Sequence, residues 1–399
     1  MQREICHVEI SDEALCCNST EVNFSRSSDK PPSQSNLNFS ALMLYGGGKP
    51  TDFLSQLAVG ITYIFVNLLF FLMVYTGKTY RYRSILFITI AICFVITFIT
   101  NLIELRGSMV LTKENMISGE TPFCHLVIPM VIIPAAITRT IIFPGSITEG
   151  FAPVSAMIVI WLGTSLALGR GWCSWVCFFG GMDEFFSRLR KRPVIKNIDR
   201  RWNYLPYAVL LGVVLVSAAT FSPTYCEWLC PFKAVTEFAE ITSFKILIQT
   251  IIFFSLFADL VVILPFLTRR RIQCGLFCPF AAFQSFTNKI NIFSVHIDRE
   301  KCIGCGRCIQ NCPTFSLDET STGQGKTLMS CAKCGRCVDT CPKQAVSFHI
   351  KGTPAGAGGD AARLLFLFPA FLFAVTIGGS MISGALVRLF KFITTGSMI

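Results

Sequence analysis

The chain alternates between long apolar runs and short intervals of basic or turn-forming residues. A helix rising 1.5 Å per residue needs about 20 apolar residues to cross about 30 Å of hydrocarbon. Runs near that length occur at Leu57–Thr76, Ile85–Ile103, Ala152–Leu168, Tyr204–Phe221, Ile246–Leu267 and Leu364–Leu386. They predict six membrane spans. A seventh run, Leu126–Phe143, contains Pro129 and Pro134 and carries Arg139. Proline interrupts the helical ladder and a charge in mid-bilayer is costly. This run therefore reads as a broken or re-entrant segment, with a kinked full span as the alternative. The fold class expected is an α-helical integral membrane protein of about six spans plus that segment, carrying a small α+β module. The polar intervals divide the chain into a Ser- and Asn-rich tail (1–56), a membrane domain (57–292), a cysteine-rich module (293–350), a Gly/Ala/Pro linker (351–362) and a last helix (363–399). The tail lacks the apolar core of a secretory signal. In the last helix, Gly378, Gly379, Ser380 and Gly384 predict a close helix–helix contact, within the chain or with a partner subunit.

Charge sets the expected orientation. Only 15% of the 399 residues are charged, and the net charge of +11 is clustered beside the apolar runs. Lys78, Arg81 and Arg83 follow the first run; Arg188, Arg190, Lys191, Arg192, Lys196, Arg200 and Arg201 follow the third; Arg269, Arg270 and Arg271 follow the fifth. Such loops mark the cytoplasmic side of a membrane and argue against nucleic acid as a partner. All three fall on one side if Leu126–Phe143 does not cross. The tail is then outside and the cysteine-rich module is cytoplasmic. Arg170 and Arg269–Arg271 read as topology anchors and headgroup contacts, some of which raise the potential of a nearby centre by their charge.

The module holds the strongest chemical signal. Cys302, Cys305, Cys308 and Cys312 precede Pro313, and Cys331, Cys334, Cys337 and Cys341 precede Pro342. Each set is C-x-x-C-x-x-C-x-x-x-C-P, the bacterial two-cluster 4Fe-4S spacing in which the fourth cysteine ligates the other cluster. One cluster is expected on Cys302, Cys305, Cys308 and Cys341, the second on Cys331, Cys334, Cys337 and Cys312. Structural zinc is the alternative, but it does not call for two repeats with the same trailing Cys-Pro. Gly304, Gly306 and Gly335 let the loops turn toward sulfur.

Three further C-x-x-x-C pairs stand at the ends of apolar runs: Cys173/Cys177, Cys226/Cys230 and Cys274/Cys278. Residues i and i+4 share a helix face, so each pair supplies half of a four-thiolate set. The first and third pairs fall on the cytoplasmic side and are expected to hold a third 4Fe-4S cluster through Cys173, Cys177, Cys274 and Cys278. The second pair falls on the outer side, a bilayer away. It would need other ligands, with Cys124 (next to His125) the nearest and Cys6, Cys16 and Cys17 further candidates. A disulfide or two idle thiols is the alternative there. Cys93 reads as a packing residue, and His296 and His349 as surface or packing residues. No set of residues with the pattern of a hydrolytic or phosphate-binding site stands out, and no span carries paired histidines for haem.

From about Pro153 to Ser347 the chain resembles the NapH/NosR-type family of membrane polyferredoxins. The likeness rests on GRGWCSWVC, the Tyr204–Phe221 span, LFADLVVIL, QCGLFCP and both ferredoxin motifs. Phe178 stands where such proteins have Pro after the first pair, and no flavin-attachment motif is convincing, Ser118-Gly119-Glu120-Thr121 being only a partial echo. The resemblance implies electron exchange with the quinone pool in a bacterial or archaeal cytoplasmic membrane. It implies a subunit of a membrane redox complex that works with other subunits, quinone or redox proteins and has no bond chemistry of its own. A metal-reducing or assembly factor and a redox-sensing regulator are the alternatives.

Overall fold

A computed structural model of the chain describes residues 52–105, 124–138, 154–196, 198–236, 243–354 and 359–396. The tail with Cys6, Cys16 and Cys17, the Ser118–Thr121 echo, Arg139 and part of the linker lie outside the described residues.

The described elements are α1 (Phe53–Thr76), α2 (Thr79–Leu105), α3 (Ile128–Thr138), α4 (Val154–Leu168), α5 (Phe178–Arg188), α6 (Leu205–Thr220), α7 (Phe244–Thr268), α8 (Pro279–Ile290), β1 (Phe293–Ile297), α9 (Arg307–Asn311), α10 (Arg336–Thr340), β2 (Val346–Ile350) and α11 (Gly359–Thr395), with short turns of helix between them. Among the described residues, five helices are long and apolar enough to cross a membrane: α1, α2, α6 with the turn before it, α7 and α11. The expected span at Ala152–Leu168 is described as a helix over the 15 residues Val154–Leu168. Gly169 ends it at φ 56°, in the left-handed region that favours glycine, and turns the chain into the first cysteine pair. The broken segment is the 11-residue α3, with Pro134 inside it.

Small residues decide how the helices pack. A Cβ on Gly378 would stand 2.5 Å from Ile90 Cδ1, and one on Gly384 3.6 Å from Thr97, so the glycine face of α11 lies against α2. The contact is therefore within the chain. A Cβ on Gly181 would stand 2.6 Å from the Phe87 carbonyl oxygen, so α5 also lies close on α2. At that crossing Phe94 stacks on Phe178 at 3.9 Å. Below it the Arg83 Nη2 meets Glu184 Oε1 at 2.6 Å, with both side chains 1% exposed, and Ser84 Oγ donates to the same carboxylate at 2.7 Å.

The module begins and ends on antiparallel strands, with Val295 opposite Phe348. Period two puts Phe293, Val295 and Ile297 on the buried face. That face rests on the start of α11, where Phe366 stacks on Phe348 at 5.1 Å and meets Phe293 at 5.4 Å.

Removing one member of a buried ion pair leaves the other charge uncompensated and costs about 3–5 kcal/mol. Glu184→Ala is expected to lower thermal stability by that amount. Burial raises the Glu184 carboxyl, but Arg83 and Arg271 outweigh it and hold it down at about 2. A depressed folded-state value means that the stabilisation is complete above the unfolded value of about 4.3 and is lost as pH falls toward 2. Unfolding curves between pH 2 and pH 6, natural protein against Glu184→Gln, check this: the difference should shrink on acidification.

Candidate cysteine sites

In the module each helix is entered through a left-handed glycine, Gly306 at φ 65° before α9 and Gly335 at φ 80° before α10. Gly304, at φ 65°, has its counterpart in Lys333, at φ 50°. A lysine there is unusual, and its side chain explains the exception. Lys333 Nζ, buried, donates to Leu168 O at 3.0 Å, Asn288 Oδ1 at 2.6 Å and Asn291 Oδ1 at 2.9 Å. Asn288 in turn donates to the Met329 and Cys331 carbonyls at 2.8 Å each. This knot ties the second cysteine loop to the membrane domain.

Cys302, Cys305, Cys308 and Cys341 line one cavity of about 460 Å³ with Gly304, Gly306 and Pro342. The other four are neighbours: burial, with Cys331, Cys334 and Cys312 next, pushes the Cys337 thiol well above its ordinary value. The fourth cysteine of each motif thus sits with the other motif's three. Backbone amides already point at sulfur, Ser316 N at 3.2 Å from Cys312 Sγ and Ala345 N at 3.3 Å from Cys341 Sγ. These donors suit a thiolate-held cluster, whose charge they would share.

The three membrane pairs share one backbone device. A wide turn carries the first cysteine, and the second leaves it in extended conformation to start the next helix. Cys177 N bonds back to Trp172 O at 3.1 Å and Cys278 N to Gln273 O at 2.8 Å, each five residues back. Cys177, Cys230 and Cys278 have φ/ψ of −70°/104°, −80°/108° and −69°/117°. A following proline excludes the helical alternative at Cys230 and Cys278. Phe178 leaves the same turn intact at Cys177, so its departure from the family pattern has no backbone consequence.

The structure brings Cys173, Cys177, Cys274 and Cys278 together. All four are buried, 3% to 5% exposed. Burial, then Cys173 and later Cys278, drives the Cys177 thiol well up; burial and Cys173 push Cys278 to about 12. Two guanidiniums oppose this. Arg271 Nη2 donates to Cys274 Sγ at 3.2 Å and to the Cys173 carbonyl, and Nη1 to Ser174 Oγ at 3.0 Å. Arg170 Nη2 donates to Cys274 O at 3.1 Å and Nη1 to Ser285 Oγ at 3.0 Å. Arg170 and Arg271 are 2% and 0% exposed, so neither is a headgroup contact: the chain folds their turns inward over the sulfurs. A Cβ on Gly180 would collide with Arg271 Nη2, and Asp183 Oδ2 accepts from Cys274 N at 2.9 Å. The Nε atoms of both arginines have no partner, which leaves buried donors suited to the sulfides of a cluster. Among the described residues no three of His, Cys, Asp and Glu close tightly enough to hold a single metal ion. A cubane spaces its four thiolates more widely.

Cys226, Cys230 and Cys124 form a third gathering. Burial, with Cys230 and Cys124 next, raises the Cys226 thiol well above its ordinary value, and burial and Cys124 raise Cys230 to about 12. Cys226 and Cys230 are not joined in a disulfide. The expectation that this pair stands a bilayer away from the others fails. Tyr225 accepts from Gln273 Nε2 at 3.1 Å, so the residue before Cys226 touches the residue before Cys274. His125, beside Cys124, lies 3.1 Å from Cys177 Sγ through Nε2. Counting apolar runs treats each run as separating its neighbouring turns by a bilayer, whereas α4 and α6 both pack on α8: Tyr207 of α6 on Phe286, and Trp161 of α4 on Phe283. The bridging Tyr225, Gln273 and Trp175 were not legible beforehand, although each adjoins or lies within a cysteine motif. Trp175 Nε1 donates to Lys333 O at 3.3 Å. The first membrane pair is thereby joined to the loop between Cys331 and Cys334.

A family described as a 4Fe-4S binding domain matches the chain three times, at 150–196, 202–249 and 250–299, and a 4Fe-4S dicluster domain matches 294–342. Each of the three repeats contains one membrane pair. The chain is 30% identical over 175 residues to the ferredoxin-type protein NapH of Escherichia coli, covering 42% of this chain and 57% of that one. It is 29% identical over 195 residues to the methylamine utilization ferredoxin-type protein MauN of Methylorubrum extorquens, covering 46% and 62%. It is 24% identical over 201 residues to the protein NirI of Paracoccus denitrificans, covering 46% and 28%. The chain thus spans only part of the length of these relatives. No solved structure matches it.

Burial predicts a reactivity order. In the metal-free, reduced chain at pH 8, the thiolate fraction at Cys230 and Cys278 is expected to be about 10³ below that of a free cysteine. Alkylation followed by peptide mass spectrometry should label the exposed Cys302 and Cys305 first, and Cys230 and Cys278 only on unfolding.

Proposed function

We propose that this chain, a membrane polyferredoxin by its 4Fe-4S domains and its ferredoxin-type relatives, is the electron-relay subunit of a membrane redox complex. It carries electrons between a cytoplasmic partner and the membrane, where a quinone or another redox protein completes the path. The module of residues 293–350 faces the cytoplasm, as the basic loops favour. Cys302, Cys305, Cys308 and Cys341 hold one 4Fe-4S cluster, Cys331, Cys334, Cys337 and Cys312 a second, and Cys173, Cys177, Cys274 and Cys278 a third. Cys226, Cys230 and Cys124 hold a further centre, completed by a ligand from a partner. When bound, these groups supply one-electron carriers.

The observation that carries this reading is the direct contact between successive cysteine groups. Trp175 joins the second module loop to the first membrane pair through Lys333 O, and Tyr225 joins the third pair to the second through Gln273. A structural role for the cysteines would not require three repeats of the same turn to meet. Arg170 and Arg271 neutralise part of the charge that a thiolate-ligated cluster brings into a buried site. The buried aromatic rings of Trp172, Phe178 and Phe280, packed around His125, keep water from the sulfurs.

Iron and acid-labile sulfide per chain test the assignment: three cubanes require about twelve irons, and the second pair adds to that. Eight irons or fewer would reject the third cluster. Cys312→Ser is expected to damage the cluster held by Cys331, Cys334 and Cys337 and to spare the other, read by paramagnetic resonance of the reduced protein. Arg271→Gln is expected to lower the midpoint potential of the third cluster alone, on the order of tens of millivolts, since a nearby cation favours the reduced form. Cys226→Ser with Cys230→Ser should reduce metal content without altering the module's spectra.

A further inference from the structure

Helix α7 is the least covered of the five apolar helices: 11% of its window is buried, against 28% to 50% for the others. Its outward face is a stripe of Ile248, Ile251, Ser255, Asp259 and Ile263, all exposed and three or four residues apart. Residues so spaced share one side of a helix. Four of these five suit lipid or a close helix neighbour. Asp259 does not. It lies fifteen residues after Phe244 and nine before Thr268, about 22 Å and 14 Å along the axis from the two ends. That depth is near the middle of the hydrocarbon. A carboxylate facing lipid there is costly, and intramembrane ionisable groups face protein or water instead.

Among the described residues the Asp259 side chain makes no hydrogen bond or ion pair that would explain its position. The helix is also locally widened over Phe257–Ile263, a distortion that recurs at functional sites. Within α7 the sole basic residue is Lys245, the second residue of the helix. A second copy packed on the same face would oppose carboxylate to carboxylate, which is unfavourable. The other described spans carry their cations near their ends, as in Arg81, Arg83, Arg363 and Arg388. None of them has one at mid-depth to offer.

We propose that this face of α7 is the docking surface for a transmembrane helix of a different subunit, one that brings a lysine, arginine or equivalent donor to Asp259. Ser255, small and one turn away, lets the helices approach, and Ile251 and Ile263 pack above and below the polar contact. The surface lies on the repeat that continues into Cys274 and Cys278, so the partner is seated beside the membrane cysteine groups. The inference does not depend on how many clusters those groups hold.

The test uses the full chain in its native membrane with a photo-crosslinking amino acid at Ile263, and separately at Ile251. The expected result is an adduct whose crosslinked peptide, read by mass spectrometry, is a transmembrane segment of another polypeptide with a basic residue within one turn of the link. Asp259→Leu should lower the adduct yield at least tenfold and Asp259→Glu should retain it, with iron per chain unchanged in both. A peptide from this same chain, adducts with lipid alone, or a yield indifferent to Asp259→Leu would overturn the proposal. So would loss of iron in Asp259→Leu, which would assign the carboxylate to the chain's own fold.

Discussion

The buried guanidinium of Arg271 is the contact on which the membrane site depends. It reaches Cys274 Sγ, the Cys173 carbonyl and Ser174 Oγ at once, and so joins the first cysteine turn to the third. A charge this deeply buried is costly unless it is paired and hydrogen-bonded. Asp183 and Glu184, on the helix that follows the first pair, provide the opposite sign. Gly180 leaves the space that the guanidinium fills. Helix α5 therefore has two tasks: its acidic residues balance the arginines, and its glycines allow close approach to α2. The same acidic pair connects the site to Arg83 at the start of α2, so the positive residues of two basic loops serve the interior.

Docking of the module follows the same logic with lysine. Lys333 occupies a left-handed position where the first motif has glycine, and its ammonium makes three bonds to the membrane domain. The conformational cost at one residue is offset by a contact that a glycine could not make. Phe366 supplies the apolar half of the interface, beneath the two strands. The last helix is thus the floor of the module as well as a membrane helix, which explains why a chain that has already completed its cysteine motifs returns to the membrane.

The three repeats give the membrane cysteines their common form. An apolar helix, a wide turn with one cysteine, an extended second cysteine and a new helix recur each time, and proline enforces the exit in two of the three. Repetition alone would yield three equivalent pairs. The packing makes them unequal: two pairs meet around Arg170 and Arg271, and the remaining pair meets Cys124, with Tyr225 between it and the third pair. The chemistry available at each gathering differs accordingly, with guanidinium donors at the first and an uncharged tyrosine at the border of the second.

Much of this was written in the sequence. The i, i+4 spacing suggests a single helix face for each membrane pair, which the extended second cysteine leaves. But the paired cysteine motifs of the module and the long apolar helices follow from local rules: thiolate spacing and the length of hydrocarbon to be crossed. Those rules act within a few residues, so a linear reading reaches them. The side on which the second pair lies, the burial of Arg170 and Arg271 and the intrachain role of the α11 glycines are different. Each depends on residues roughly fifty to three hundred positions apart meeting across helices. Counting spans assumes that every apolar run crosses fully, and α4, described over 15 residues and packed on α8, does not fit that assumption. Only the tertiary structure decides where such a charge or thiol ends, because its energy is set by the neighbours that exclude water from it and not by the residues beside it in the chain.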